Sequence, residues 1–256
     1  MAGFERRGEL YVPRPGGKKI LSYYEAEKIV WDIESSKVKP AGIILDSITG
    51  LVTAASYDVA HEDIPRGKIW SSRFSLATSQ PNWGVMTTTI VLLNRVCRSM
   101  GIPFIMTAQE DERRDEASGK DMHFPQVNPA VRGDIIPMSD AVLRVSKSSS
   151  VFESAGKRFA AGDRVIRCQP NDEIYAKCRV PDDAPPAPDV IGNEIKDEKG
   201  QPVLNWQPAL NRLWVATVLP LDTVVIYGRA GVGKTRLAVE LVLYYAKKKA
   251  SLKEKN

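Results

Sequence analysis

Eight consecutive residues, Gly228-Arg229-Ala230-Gly231-Val232-Gly233-Lys234-Thr235, satisfy the spacing G-x-x-x-x-G-K-[ST] in full. The chemistry such a segment can do is phosphate binding. Its glycines let the backbone curl so that N–H groups converge as an anion nest, and a helix starting inside the loop adds its positive end. Lys234 then reaches the β- and γ-phosphates of a nucleotide, and the Thr235 hydroxyl is a ligand for Mg²⁺. Gly228 through Thr235, with Arg236 behind them, are therefore the expected cofactor-binding residues, with ATP and Mg²⁺ as the expected cofactors. The apolar run Val224-Val225-Ile226-Tyr227 enters this loop, and an amphipathic helix over 236–248 leaves it.

A loop of this kind needs an acidic partner for the metal at the C-terminal tip of a neighbouring strand. Ile43-Ile44-Leu45-Asp46 has that form, three apolar residues and then an acid, so Asp46 joins Thr235 as a metal residue. A second buried run, Phe104–Ala108, ends at Gln109. An amide there can contact the γ-phosphate or orient water, which makes Gln109 a sensor candidate and adjacent Glu110 a further catalytic candidate.

Helical spacing marks 22–36, and a long buried helix is expected over 85–100, stopped by Gly101 and Pro103. Residues 110–130 read as a charged loop without periodicity, and 141–146, 151–159, 164–168 and 173–179 as strands or hairpins. Between Pro181 and Leu204 stand five prolines and six acidic residues, a composition expected of a linker. Buried apolar strands alternating with helices predict an α/β fold with a mainly parallel sheet. All of 1–256 is expected to be one domain, in which 181–212 joins a larger part, 1–180, to the loop strand and helix at 213–248, and 249–256 is a basic tail.

The chain has 256 residues, 43% hydrophobic and 26% charged, which argues against disorder, collagen-like sequence and coiled coil. No apolar run reaches the roughly 18 residues of a membrane span. Cys97, Cys168 and Cys178 are an odd, sparse set that fits a reducing compartment, so the expected location is cytoplasmic. The net charge of +5 sits at the ends: residues 1–19 hold five basic and two acidic groups, and residues 247–256 five lysines and one glutamate. Frayed, solvated ends or capture of a polyanion both follow from this distribution.

Taken together, IILDSITGL, FIMTAQ, Tyr175-Ala176-Lys177-Cys178-Arg179 and GRAGVGKT resemble the RecA-like P-loop (ASCE) ATPases, closest to phage proteins linked to single-strand annealing recombination. The order departs from that family, because the phosphate loop comes last. A circular permutation accounts for it. The resemblance implies that Lys177 and Arg179 are trans-acting fingers that reach a neighbouring subunit's γ-phosphate, so the active unit is a homo-oligomer, a ring or filament. It also implies DNA, single-stranded, as partner, with residues 110–130 as a contact candidate; the stretch 66–83, which interleaves cations with Trp70, Phe74 and Trp83, is a second candidate by its composition. The glutamate that activates water in this family has no regular counterpart; Glu110, Glu62 and Glu9 are the alternatives. Two functions stay open: a DNA-acting ATPase of phage-type recombination or replication, and a nucleotide-controlled assembly or DNA-packaging protein.

Overall fold

Every residue of Thr223–Tyr227 is buried, and alternate side chains enter different layers. Val224 and Ile226 pack into one apolar cluster, Val225 and Tyr227 into another. A strand buried on both faces belongs inside a sheet covered by helices on each side, and that is where the computed structural model places it. The structure describes residues 4–7, 10–13, 23–37, 39–52, 91–114, 116, 119–127, 129–154, 157–180, 187–196, 202–216 and 223–253. Glu9, Glu62 and the 66–83 stretch lie outside them.

In chain order the elements begin with a hairpin, β1 (Phe4–Arg7) and β2 (Leu10–Pro13), then α1 (Tyr23–Ser35), β3 (Ile43–Asp46) and helical residues 48–52 (α2). Helical residues 91–99 (α3) follow, then β4 (Phe104–Ala108), β5 (Glu110–Arg114), β6 (Asp121–Pro125) and α4 (Pro129–Met138). Next come β7 (Ala141–Lys147), β8 (Phe152–Ser154), β9 (Lys157–Phe159), β10 (Arg164–Arg167) and β11 (Lys177–Cys178). The chain closes with β12 (Val190–Lys196), β13 (Pro202–Asn205), α5 (Gln207–Ala216), β14 (Thr223–Tyr227) and α6 (Lys234–Lys253).

The central sheet is mixed, in the order β13-β12-β10-β7-β14-β4-β3, with β11 also on β7. Its middle is parallel: β3 with β4, β4 with β14 and β14 with β7. From β7 outward it continues antiparallel through β10, β12 and β13. Helix α6 buries Leu237, Ala238, Leu241 and Val242 on one face, beside Leu210 of α5. On the other face α1, α2, α3 and α4 contribute Val30, Ile48, Val96 and Ile135. The fold is α/β, as expected, and no helix among the described residues is long and apolar enough to cross a membrane.

Two segments depart from expectation. Residues 181–212, expected as a linker, contain β12 and β13, which extend the central sheet, and most of α5. One of the segment's close packings requires a glycine. A Cβ on Gly192 would lie 2.6 Å from the ring of fully buried Trp206. Gly192→Ala is therefore expected to destabilise the protein by about 1–3 kcal/mol, to be measured by denaturant unfolding; an unchanged midpoint would contradict the packing described. Residues 110–130, expected as a loop, form the β5–β6 hairpin and the start of α4. Glu-Asp-Glu-Arg-Arg has no apolar alternation because its strand pairs outside the central sheet, and Glu110 is buried by ion pairing.

Cys97 is fully buried, and burial pushes its thiol up from 9.0 to about 12. The unfolded thiol ionises first, so this preference for the protonated form supports the fold fully below pH 9 and is lost as pH climbs toward about 12. Native Cys97 is expected to resist a thiol reagent at pH 8 and to react after denaturation. Rapid labelling of native protein at this residue would contradict its burial.

Candidate functional site

β14 ends at Tyr227, and the chain turns at once into the glycine loop. The Tyr227 hydroxyl donates to the carbonyls of Tyr175 at 2.7 Å and His123 at 3.1 Å. Burial holds this phenol well above its ordinary range, so it remains a donor and pins the β6 hairpin strand beside the strand that enters the loop. Gly228, Gly231 and Gly233 have φ of 154°, 76° and 102°, which side chains rarely tolerate. Gly228 has a second reason to be glycine, since a Cβ there would meet the Val145 carbonyl oxygen at 2.1 Å. Val232 is buried in the core, whereas Arg229, Ala230 and Gly231 are exposed.

Helix α6 begins at Lys234, so the loop lies at a helix N-terminus with its unsatisfied N–H groups. Lys234 is 7% exposed, and its Nζ donates to the carbonyls of Gly228 at 2.8 Å and Arg229 at 2.9 Å. An ammonium carries three donors, so two are committed to the loop itself. Burial pulls this ammonium below the ordinary lysine range, and the carboxylates of Asp46 and Glu110 act in the opposite direction. Arg236 turns away from the loop and pairs with Glu240 one turn along.

Asp46, at the tip of β3, meets Thr235 across 189 residues of sequence: Thr235 Oγ1 donates to Asp46 Oδ2 at 2.7 Å. Thr107, fully buried on the next strand, donates to Asp46 Oδ1 and fixes the carboxylate plane. A hydroxyl and a carboxylate converging on one exposed point are hard oxygen donors of the kind Mg²⁺ accepts. The residues present therefore fit the implied ion, which Thr235 and Asp46 would hold.

The strand between them positions the sensor candidate. Ala108 is in register with Tyr227, so Gln109 leaves β4 level with the start of the glycine loop. Its N–H donates to Thr49 Oγ1 at 3.1 Å, its carbonyl accepts from Gln126 N at 2.7 Å, and Thr49 Oγ1 donates to the Gln126 carbonyl at 2.8 Å. One knot thus joins α2 after Asp46, the end of β4 and the end of the hairpin.

Glu110 is held by Arg144. Its side chain is 3% exposed, with Arg144 donating at 3.0 and 3.2 Å; His123 Nδ1 lies 2.9 Å from it. Arg229 stands 3.7 Å away and pairs with Glu112 at 2.8 Å, tying the loop to the hairpin. Ligand atoms of Glu110, Glu112 and His123 lie within 4.8 Å of one another, yet Arg144 and Arg229 already neutralise these carboxylates. Beside Arg229 and Val232 opens a cavity of about 650 Å³, lined also by Arg144, Ser148, Phe152 and Arg167.

Lys177 and Arg179 lie elsewhere. β11 pairs with the start of β7, level with the start of β14, at the end of the sheet away from the glycine loop. There Arg179 pairs with Asp140 at 2.7 Å and Lys177 donates to the Pro137 carbonyl at 3.0 Å. Within one chain they do not join Lys234.

The chain matches no protein-family model, no curated protein and no solved structure. Function has to come from the site's own chemistry. The glycine loop, Asp46 and the strand that ends at Gln109 were visible in the sequence; Thr107, Thr49 and Arg144 were not. Thr107 carries the one faint signal, a hydroxyl inside an otherwise apolar run.

Proposed function

We propose that this chain is a Mg²⁺-dependent ATP-binding and ATP-hydrolysing protein of RecA-like fold with circularly permuted motif order. The observation that carries the reading is the 2.7 Å hydrogen bond between Thr235 and Asp46 beside buried Lys234. A glycine turn alone explains the loop, but not an acid from the other end of the chain seated against its threonine. The sheet order supports it as well. β4 lies between β14 and β3, so Gln109 ends between the phosphate loop and the metal pair. The 650 Å³ cavity beside Arg229 falls in the size range of small-molecule sites and has room for a nucleoside.

In this reading loop N–H groups and Lys234 bind and orient the polyphosphate, and Thr235 and Asp46 hold the Mg²⁺, which neutralises phosphate charge when bound. Gln109, fixed through its backbone, faces the terminal phosphate and passes its state to the hairpin that starts at Glu110. Lys177 and Arg179 serve as fingers only in an oligomer, where they would face a neighbour's nucleotide. DNA is the proposed polymer. The hairpin side carries Arg113 and Arg132 over the ring of Phe124, at 5.4 and 4.2 Å.

Glu110 favours a second reading. Both of its oxygens accept from Arg144, which leaves it poorly placed to take a proton from water. A protein that binds ATP to control assembly or DNA packaging, with weak turnover, needs no such base. ATP turnover with Mg²⁺, alone and with single- or double-stranded DNA, separates the two. Stimulation by single-stranded DNA supports the recombination-type ATPase; tight binding with turnover indifferent to DNA supports the assembly protein.

A further inference from the structure

The phosphate loop is gripped by a strand that carries no motif. Arg164, first residue of β10, lies opposite Lys147, last residue of β7. Because β10 runs antiparallel to β7, its start reaches the end of the sheet from which the glycine loop emerges. From there Arg164 Nη1 donates to the Gly231 carbonyl at 3.0 Å, 67 residues away in sequence.

Gly231 has little packing support of its own. It is exposed, it has φ of 76°, and a Cβ there would touch nothing within 4 Å. A peptide unit is planar and trans, so its C=O and the next N–H point in opposite directions. Holding the Gly231 carbonyl toward β10 therefore aims the Val232 N–H to the other side. An anion nest depends on this: its N–H groups must agree in direction before the anion arrives.

Folding alone does not require the contact. An exposed carbonyl is satisfied by water, and the neighbouring Val232 is already anchored in the core. We infer that Arg164 is a positioning residue for nucleotide binding, holding the Gly231 carbonyl so that the Val232 N–H is preset toward the polyphosphate. The hydrogen bond is charge-assisted, hence stronger than a neutral one. It also puts a cation beside the loop from outside the motif.

This inference rests on the nucleotide-binding reading, and its test separates the two. Affinities for fluorescent ADP and ATP, each with Mg²⁺, are measured on the full chain, on Arg164→Ala and on Lys234→Ala, with thermal midpoints recorded in parallel. A backbone nest serves any phosphate chain, so Arg164→Ala is expected to weaken ADP and ATP by the same factor, roughly tenfold. Its midpoint should stay within about 2 °C of wild type. Unchanged affinities overturn the assignment. A loss confined to ATP also overturns it, by making Arg164 a direct contact of the terminal phosphate. A midpoint that falls in step with affinity points instead to a folding role and overturns it too. If wild type binds neither nucleotide and matches Lys234→Ala, the nucleotide reading itself fails, an outcome distinct from the other three.

Discussion

Replacing Lys234 by alanine is expected to cut ATP turnover by at least roughly a thousandfold while leaving the protein folded. The ammonium is nearly buried and donates to two loop carbonyls. Its removal strands those acceptors at a cost of about 1 kcal/mol, offset by relief of a desolvated charge. Thermal unfolding should therefore move little, and nucleotide binding much. Lys234→Arg should not restore activity, because a planar fork cannot occupy the position of a compact ammonium between two carbonyls. The pH dependence follows from the same burial. With its folded pKa lowered, Lys234 sheds its proton at a lower pH than an ordinary lysine. In the proposed reading ATP affinity should be fully present below that lowered value and fall as pH rises through it. Calorimetric titration across alkaline pH would show the decline in wild type and not in the alanine variant. Wild-type turnover in Lys234→Ala would remove the site from consideration.

How far the sequence disclosed this site depends on how each residue is held. β3, β4 and β14 are buried runs bounded by turns, so Asp46, Gln109 and the glycine loop were legible from local pattern and motif. Their convergence was not. Asp46 and Thr235 stand near opposite ends of the chain, and only the parallel order β14-β4-β3 brings their strand tips together. Residues held by pairing rather than by apolar pattern escaped. Glu110–Arg114 forms a strand whose inward acid is compensated by Arg144, and no periodicity reports such compensation. The stretch 181–204 reads as linker because of its five prolines and six acids, yet Asp189 among them has a folded use: it accepts from Cys168 N and pairs with Arg167. Arg164 reads as an ordinary strand cation until β10 is seen to start beside the loop.

The order of synthesis also bears on the fold. β14 is the last strand in the chain and stands in the middle of the sheet, between β7 and β4. Its first residue is prepared on both sides: Thr223 donates through its hydroxyl to Asn94 at 2.9 Å and through its N–H to Asp140 at 3.0 Å. Buried polar groups with matched partners fix one register, and here they set the strand at the height that presents the glycine loop to Asp46 and Gln109. Arg179 has a clear structural use in this frame, since its ion pair with Asp140 steadies the acceptor that receives β14. Any finger role in an oligomer would add to that use.

Asp46→Asn is expected to uncouple nucleotide binding from Mg²⁺. The substitution keeps shape but exchanges a charged pair of acceptors for one acceptor and one donor. Thr107 is buried and can still donate to the amide oxygen, so the β3–β4 contact should survive with a modest loss of stability, about 1 kcal/mol. The other side is different. A Thr235 hydroxyl that faces a carboxylate forms with it an anionic oxygen pair for a divalent cation, and facing an amide it does not. In wild type, chelation of Mg²⁺ should weaken ATP binding strongly. In Asp46→Asn the affinity with Mg²⁺ should already be near the chelated value, and turnover should fall roughly a hundredfold or more. Thr235→Ala should give a similar phenotype, and the double variant little further loss, because in the proposed reading the two oxygens would serve one ion and their effects would not add. Measuring ATP affinity with Mg²⁺ and with chelator on all four proteins decides this. A full Mg²⁺ response in Asp46→Asn would dissolve the metal pair, and with it the reason to regard the far end of the chain as part of the phosphate site.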